Sequence, residues 1–351
     1  MHVDRIEAVL KAIQPPPGGS GHDGAGLPMP GGALGALGYL GGRLRAIYGA
    51  RTQGGTGPAV EAPLRKMLLI AAADHGVARA GASRYPHSST TDLVGDVLEG
   101  RTAVARLASG IQLRAVVADI GTDDGPPAEA GEEGWAAFES IRVANGTADI
   151  TRGPAMPRDT ALACVRAGID LFERNAEGWD VDLVGLGDLG LGSTTSACAI
   201  TAALTGLPVE QLCGEAGANA SPGHDAREEL VRKAVERTSP DADDAIGLLA
   251  EYGGLEMAAL TGVCLGAAAG RVPVLLDGVV STAAGVLAVK LAPPARSYLI
   301  VSHEAAVTAH GALLAELGIE PLLKLRLGLG EGAGAVLAMG LVEAAWTLAR
   351  P

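Results

Sequence analysis

The stretch Val181-Asp-Leu-Val-Gly-Leu-Gly-Asp-Leu-Gly-Leu-Gly-Ser-Thr-Thr195 decides the fold. It opens with an apolar run typical of a buried strand, passes through a glycine-rich loop, and enters a segment of helical pattern at residues 193–204. Similar apolar runs recur along the chain, with helical segments between most of them. The predicted strands are residues 67–72, 113–119, 181–186, 272–276, 297–301 and 322–327. This alternation predicts an α/β fold of three layers, with a mostly parallel, doubly wound sheet.

Polar residues follow several of these strands directly. They are Asp74-His75, Gly187-Asp188, Asp277-Gly278, His303 and Glu331. In a parallel sheet, the carboxyl ends of the strands meet at one edge, where ligands bind. Glu331 lies in the glycine-rich turn at residues 328–334, and we predict that it is the catalytic carboxylate of an enzyme acting on a small phosphate-bearing molecule.

The composition narrows the class of protein. The 351 residues are 48% hydrophobic and 19% charged, which is typical of a globular chain, and the formal net charge of −13 argues against a nucleic-acid partner. The four cysteines show no Cys-x-x-Cys spacing and are predicted to be buried thiols in a reducing compartment. The amino terminus lacks an apolar signal core, so we expect a cytoplasmic protein. The longest apolar stretch, residues 272–292, contains Pro273, Asp277 and Lys290, and no membrane segment is predicted.

Two conventional interpretations of the polar residues are weak. Gly185-Leu-Gly-Asp-Leu-Gly190 matches the dinucleotide fingerprint, but the glycine loop is longer than usual and Asp188 would face a pyrophosphate with like charge. The loop better suits a single phosphate or carboxylate at the start of a helix. His303 and His310 are seven residues apart and belong to no recognised ligand pair, so no metal site is predicted.

Five ordered segments together are more specific than any one of them. They are Ala72-Ala-Asp-His-Gly-Val-Ala-Arg-Ala-Gly-Ala-Ser-Arg-Tyr-Pro86, Gly185-Leu-Gly-Asp-Leu-Gly-Leu-Gly-Ser-Thr-Thr195, Gly253-Gly-Leu-Glu-Met-Ala258, Arg271-Val-Pro-Val-Leu-Leu-Asp-Gly278 and Gly330-Glu-Gly-Ala-Gly-Ala335. From about Leu27 to the carboxyl terminus, the chain resembles the nicotinate-nucleotide:dimethylbenzimidazole phosphoribosyltransferases. These enzymes make α-ribazole phosphate for the lower ligand of cobalamin.

The resemblance implies a domain organisation and a reaction. It implies a helical segment of a small domain at residues 1–65, a large parallel-sheet domain at residues 66–305, and a carboxyl-terminal segment at residues 306–351 that carries the catalytic glutamate and completes the small domain. It implies a homodimer with no bound cofactor and no metal. The 5-phosphoribosyl group of nicotinate mononucleotide would move to a nitrogen of 5,6-dimethylbenzimidazole or a related base, releasing nicotinate.

The resemblance also assigns site residues. The catalytic pair is Glu331, as the general base, and Asp188, which would steady positive charge on the ribose. The predicted base pocket consists of Ser83, Tyr85, Asp92, Leu189 and Leu329. The predicted phosphate and ribose residues are Gly190, Gly192, Ser193, Thr194, Ala216, Arg227, Asp277, Gly278, His303 and Ala305. Asp92 has two interpretations, as an acceptor of an N–H from the base or as a cap for the helix that begins near Thr91.

Several of these positions depart from the family pattern. Gly328 stands where the family has Arg, and Ala333 where it has Thr; Asp188 replaces a usual Glu, and Arg227 a usual Lys. Further replacements are Ser193 for Asn, Ala305 for Ser, Val307 for Glu and Asp92 for Gln. Two alternatives therefore stay open: a catalytically weak relative that binds a nucleotide or base as a sensor or partner protein, and a nicotinamide-dependent oxidoreductase.

Overall fold

The structure, a computed structural model, describes residues 2–17, 32–52, 57–59, 62–80, 89–125, 134–214 and 224–350. Its strands are β1 (Lys66–Ala73), β2 (Leu113–Gly121), β3 (Ala136–Ser140), β4 (Leu183–Leu189), β5 (Val274–Leu276), β6 (Leu299–Val301), β7 (His303–Ala305) and β8 (Leu323–Leu327). Strands β1 to β6 form one sheet in the order β3-β2-β1-β4-β5-β6, and all its pairings are parallel. Strands β7 and β8 form a separate parallel pair.

Helices cover both faces of the sheet. They are α1 (His2–Ala12), α2 (Gly35–Thr52), α3 (Thr90–Leu98), α4 (Ala103–Ala108), α5 (Arg158–Glu177), α6 (Ser193–Thr205), α7 (Val209–Leu212), α8 (His224–Arg237), α9 (Ala245–Tyr252), α10 (Leu255–Ala269), α11 (Val279–Leu291), α12 (Thr308–Leu317) and α13 (Ala333–Ala349). Every residue of β1 is buried, as expected for a central strand with helices on both sides. The predicted fold class is confirmed.

The strand predictions succeed where the strands are apolar. Five of the predicted runs correspond to β1, β2, β4, β5 and β6, and the last, residues 322–327, contains β8. That last strand pairs with β7 outside the main sheet. Strand β3 was not predicted, because it lies at the sheet edge and only one of its residues is buried. Strand β7 is three residues long, too short for a periodic pattern.

The two ends of the chain pack against each other. Helix α2 lies along α13, and the rings of Tyr48 and Trp346 meet edge to face with centroids 4.9 Å apart. However, α1 packs on α5 and α10, and α13 also contacts β4. One hydrophobic core runs through these helices and the main sheet. The boundaries of the small and large domains therefore stay a prediction. Among the described residues, no helix is both long and apolar enough to cross a membrane.

The strand order determines where a ligand binds. The chain builds outward from β1 through β2 to β3, and then continues on the other side of β1 with β4, β5 and β6. The carboxyl ends of β1 and β4 thus flank the point where the order reverses, which is the usual site of ligand binding in open parallel sheets. Asp74 and His75 follow β1, and Asp188 lies near the end of β4.

Candidate active site

A cavity lies beside this point of the sheet, at the carboxyl ends of β4 and β5. Of the described residues predicted for the site, the lining contains all except Asp92: Asp188, Leu189, Gly190, Gly192, Ser193, Thr194, Arg227, Asp277, Gly278, His303, Ala305, Leu329 and Glu331. The predicted residues Ser83, Tyr85 and Ala216 lie outside the described residues. The structure thus brings together residues from β4, the loop and helix start after it, the segment after β5, β7, α8 and the turn before α13.

The turn that carries Glu331 packs directly on β4. Gly330, Glu331 and Gly332 all have left-handed backbones, with φ of 71°, 62° and 85°. The backbone N–H of Glu331 donates to the carbonyl oxygen of Asp188 at 3.3 Å. A Cβ on Gly187 would lie 2.5 Å from the carbonyl carbon of Glu331, so only glycine there allows this approach. The turn therefore brings the backbones of the two predicted catalytic residues into contact.

The carboxylate of Glu331 is buried at the start of α4. Burial raises its pKa, and this is partly offset by the hydroxyl of Thr102 and the backbone N–H of Val104. Its Oε2 atom has no hydrogen-bond partner among the described residues. A buried carboxylate with a raised pKa and an uncommitted oxygen suits proton abstraction near neutral pH.

Asp188 lies beneath the same cavity and is partly buried. Its Oδ2 accepts a hydrogen bond from the hydroxyl of Ser193 at 3.2 Å. Burial raises the pKa of Asp188 to about 7, with a further contribution from the charge of Glu256; Ser193 and His75 oppose the shift, and Glu331 adds to it. The charge of Glu331 therefore reaches Asp188 and favours its protonated form.

Asp277 anchors the helix that follows the turn carrying Glu331. Its Oδ1 accepts the backbone N–H groups of Gly334 at 2.6 Å and Ala335 at 3.1 Å, and its Oδ2 accepts that of Gly332 at 3.2 Å. These are N–H groups that the start of α13 would otherwise leave unpaired. Burial and the charge of Asp188 raise the pKa of Asp277 to about 7, although the three hydrogen bonds favour the ionised form and lower it. The contribution of Asp277 to ribose binding stays a prediction, because both oxygens already hold the turn.

Burial disfavours the charged form of two histidines near β7, His303 and His310. The backbone N–H of Ala305 donates to Nδ1 of His310 at 2.9 Å, so the ring proton is on Nε2 and is donated to the Thr282 hydroxyl at 2.9 Å. Burial lowers the pKa of His310 to about 3 and also lowers that of His303. A Cβ on Gly334 would lie 2.2 Å from Nδ1 of His303, so this glycine lets α13 start beside His303.

The glycine-rich loop after β4 forms the other wall. Gly192 has φ of 96° and directly precedes α6, whose first residues Ser193 and Thr194 line the cavity. Arg227 from α8 lines the same region and is 2% exposed. A helix start with hydroxyls and a buried guanidinium can bind an anion through backbone N–H groups, the helix dipole and charge.

Asp74 supports this loop from β1. Its carboxylate accepts hydrogen bonds from the hydroxyl of Thr90 and the backbone N–H of Asp123. The Thr90 oxygen in turn accepts the N–H of Leu191 at 3.3 Å. Asp74 is thus connected to the glycine-rich loop through Thr90.

Asp92 is a helix cap. Its carboxylate accepts the backbone N–H of Ser89 at 2.9 Å, and the Ser89 hydroxyl accepts the N–H of Asp92 at 3.1 Å. This reciprocal pair is the capping box of α3, which begins at Thr90. Asp92 is exposed and does not line the cavity. Of its two interpretations, the structure therefore shows the cap.

Some residues of the site were not predicted. Thr102 and Val104, which face Glu331, belong to no motif. Glu256 lies in one of the family-like segments, but no role was assigned to it; it pairs with His75 below the glycine-rich loop. Leu93, Leu191 and Val280 add apolar lining. Within the part of the chain that the structure describes, no group of three or more His, Cys, Asp or Glu residues is arranged to hold a metal ion.

Known proteins match the chain along nearly its whole length. A sequence model of the family described as "Phosphoribosyltransferase" matches residues 22–351. The nicotinate-nucleotide–dimethylbenzimidazole phosphoribosyltransferase of Desulforudis audaxviator is 40% identical over 319 residues, covering 91% of this chain and 86% of that protein. The protein of the same name from Chloroflexus aurantiacus is 38% identical, covering 91% and 87%.

Solved structures agree with the sequence comparison. The crystal structure of the enzyme of that name from Thermus thermophilus aligns with a TM-score of 0.79 at 34% identity, covering 99% of this chain and 95% of that one. A structure of CobT from the same organism aligns with a TM-score of 0.80 at 33% identity, covering 99% and 96%. The chain therefore belongs to the nicotinate-nucleotide:dimethylbenzimidazole phosphoribosyltransferase family.

Proposed function

We propose that this protein transfers the 5-phosphoribosyl group of nicotinate mononucleotide to a nitrogen of 5,6-dimethylbenzimidazole or a related base. The products are α-ribazole 5′-phosphate and nicotinate, and the reaction serves assembly of the cobalamin nucleotide loop. The observation that carries the proposal is the buried Glu331 carboxylate, which has one oxygen without a hydrogen-bond partner among the described residues and lines a cavity together with residues that suit an anion. This arrangement fits a reaction that needs one base and one phosphate site.

The proton balance of the reaction requires one base. The bond from the ribose anomeric carbon to the pyridinium nitrogen breaks, and its electron pair leaves with nicotinate as a neutral ring. A lone pair on one azole nitrogen forms the new bond to the anomeric carbon, and the other azole nitrogen loses its proton. Glu331 takes that proton. General-base assistance of this kind is typically worth about 10²- to 10⁴-fold in rate.

Asp188 acts on the sugar. Positive charge develops on the ribose as nicotinate leaves, and an ionised carboxylate near the ring stabilises that charge. Its position at the end of β4, with the Ser193 hydroxyl on Oδ2, supports this role. The phosphate binds between the start of α6 and Arg227, which is a local anion site on a chain of net charge −13.

The proposal can be tested by incubating the purified protein with nicotinate mononucleotide and a panel of azoles, purines and phenols. We expect nicotinate to be released at a rate that depends on the acceptor, with the new glycoside detected by mass spectrometry. Binding of the nucleotide without release for any acceptor would support the catalytically weak relative instead. Hydride transfer or dinucleotide binding would support the oxidoreductase.

The pH dependence tests the role of Asp188. Because its pKa is raised to about 7, Asp188 becomes protonated as the pH falls through 7, and a neutral acid no longer stabilises positive charge. We expect kcat/KM to fall as the pH decreases below about 7. Asp188→Asn should be slow at high pH, and its kcat/KM should not show the decrease below about pH 7 that protonation of Asp188 causes. The surface variant Asp243→Asn is the control, and a flat wild-type profile between pH 6 and about 8 would contradict the assignment.

We also propose that the protein acts as a homodimer in the cytoplasm. Tyr39 on α2 and Leu337 on α13 are exposed large apolar side chains on two helices that pack together. All four cysteines are buried free thiols, which fits a reducing compartment. Light scattering should give twice the chain mass of 35.2 kDa, and a monomeric mass at micromolar concentration would contradict the dimer.

A further inference from the structure

A buried pair of charged side chains lies under the glycine-rich loop and outside the roles assigned above. Nε2 of His75 is 2.9 Å from Oε1 of Glu256, and both side chains are fully buried. His75 follows β1, whereas Glu256 is in the first turn of α10, so the pair joins two elements that are far apart in the chain. A buried charge pair of this kind rarely improves stability over apolar side chains. Stability alone therefore does not explain why the pair is present.

The position of the pair links it to the site. A Cβ on Gly190 would lie 3.4 Å from Nε2 of His75, and one on Gly192 would lie 3.1 Å from the Cβ of His75. The imidazole is thus in contact with the loop that leads to the start of α6. A Cβ on Gly254 would lie 2.3 Å from Oε1 of Glu256 and 2.5 Å from Cε1 of His75, so this glycine leaves the space that the pair fills.

The pair is also electrostatically joined to Asp188. Burial alone would lower the pKa of His75, but the charge and hydrogen bond of Glu256 and the charges of Asp74 and Asp188 raise it above the usual value. The titratable groups that face Asp188 are Glu256, His75 and Glu331, and Asp277 lies close enough to be affected by its charge. Nδ1 of His75 and Oε2 of Glu256 have no hydrogen-bond partner among the described residues. Such buried polar atoms are uncommon and often mark a functional constraint.

We propose that His75 and Glu256 form a positioning pair, which supports the loop at residues 190–192 from below and sets the charge of Asp188 at the ribose end of the site. The inference rests on the proposed function. Neither residue lines the cavity, so both act through the loop and through Asp188. His75 stabilises the ionised form of Asp188, and Glu256 opposes it while holding His75 in place. Together they keep the titration of Asp188 near neutral pH.

Glu256→Gln tests the pair because it keeps the shape and a hydrogen bond to His75 but removes the negative charge. Of the two influences on Asp188, that of Glu256 is larger than that of His75. Even if the ring then becomes neutral, the acid limb of kcat/KM should move to lower pH than in the wild type. Replacing His75 as well, in His75→Gln with Glu256→Gln, removes the imidazole that contacts the loop and should raise KM for nicotinate mononucleotide about 10-fold while leaving KM for the base unchanged.

A double variant and a matched control make the result decisive. His75→Gln with Glu256→Gln replaces the pair by two neutral amides, and its acid limb should move in the same direction; this variant carries the test if the single one does not fold. Cys264→Ala removes a buried group about 12 Å further along α10 and should lower the thermal midpoint without moving either the pH profile or KM. A variant that is less stable but keeps the wild-type acid limb and nucleotide KM would overturn the inference. Failure of the proposed function is distinguishable, because the wild type itself would then release no nicotinate.

Discussion

Glu331→Gln is expected to bind nicotinate mononucleotide with nearly wild-type affinity and to lose about 10²- to 10⁴-fold in kcat. The amide has the same shape as the carboxylate, and the backbone hydrogen bond from residue 331 to the Asp188 carbonyl does not involve the side chain. What the variant lacks is a basic carboxylate, because an amide oxygen accepts hydrogen bonds but does not take up the azole proton. Because the loss falls on a step after binding, kcat should fall while KM for the nucleotide stays nearly constant.

Single-turnover kinetics with 5,6-dimethylbenzimidazole separates this loss from product release. Glu316→Gln, an exposed glutamate on α12, is the matched control and should leave every constant unchanged. An acceptor with no N–H to lose, such as an N-alkylated benzimidazole, should react at the same rate with the wild type and with Glu331→Gln. Turnover of Glu331→Gln close to that of the wild type would show that another group removes the proton.

Asp277→Ala is expected to lower the free energy of unfolding by about 3 kcal/mol and to abolish most activity. The substitution leaves three buried backbone N–H groups, those of Gly332, Gly334 and Ala335, without their acceptor. It also removes the anchor that holds the turn carrying Glu331. Stability and turnover should therefore fall together, unlike in Glu331→Gln, where only turnover falls.

Urea unfolding followed by circular dichroism measures the first effect, and nicotinate release measures the second. Asp277→Asn is the control, because its amide oxygen still accepts from the start of α13 and should retain about half of the lost stability. If Asp277→Ala unfolds at the wild-type urea concentration, the three hydrogen bonds do not contribute as the geometry indicates.

The main sheet was predictable from the sequence because its strands are buried on both faces and appear as continuous apolar runs. Strand β3, residues 136–140, was not predictable, because an edge strand is largely exposed and does not require apolar side chains. The meeting of Asp188 and Asp277 followed from their positions at the ends of neighbouring strands, because the carboxyl ends of parallel strands share one edge. Glu331 follows β8, outside the main sheet, and joins them because its turn packs on β4.

The hydrogen-bond partners of Asp277 and Glu331 could not be predicted from a sequence pattern. Asp277 caps a helix that begins 56 residues later, and the start of α4 reaches Glu331 across more than 200 residues of chain; only the packed structure joins them. Asp92 shows the local limit, because the same carboxylate suits a helix cap and a ligand contact. Hydrogen bonds to Ser89 distinguish the two.

The left-handed backbone of Glu331 has a consequence for engineering. A residue with a side chain is less stable in this conformation than glycine by about 1 kcal/mol, and Glu331 has φ of 62°. The chain thus keeps a less stable folded state at one position in order to keep a carboxylate there. A selection for thermal stability alone should enrich glycine at residue 331, and the most stable survivors of such a screen should be the least active.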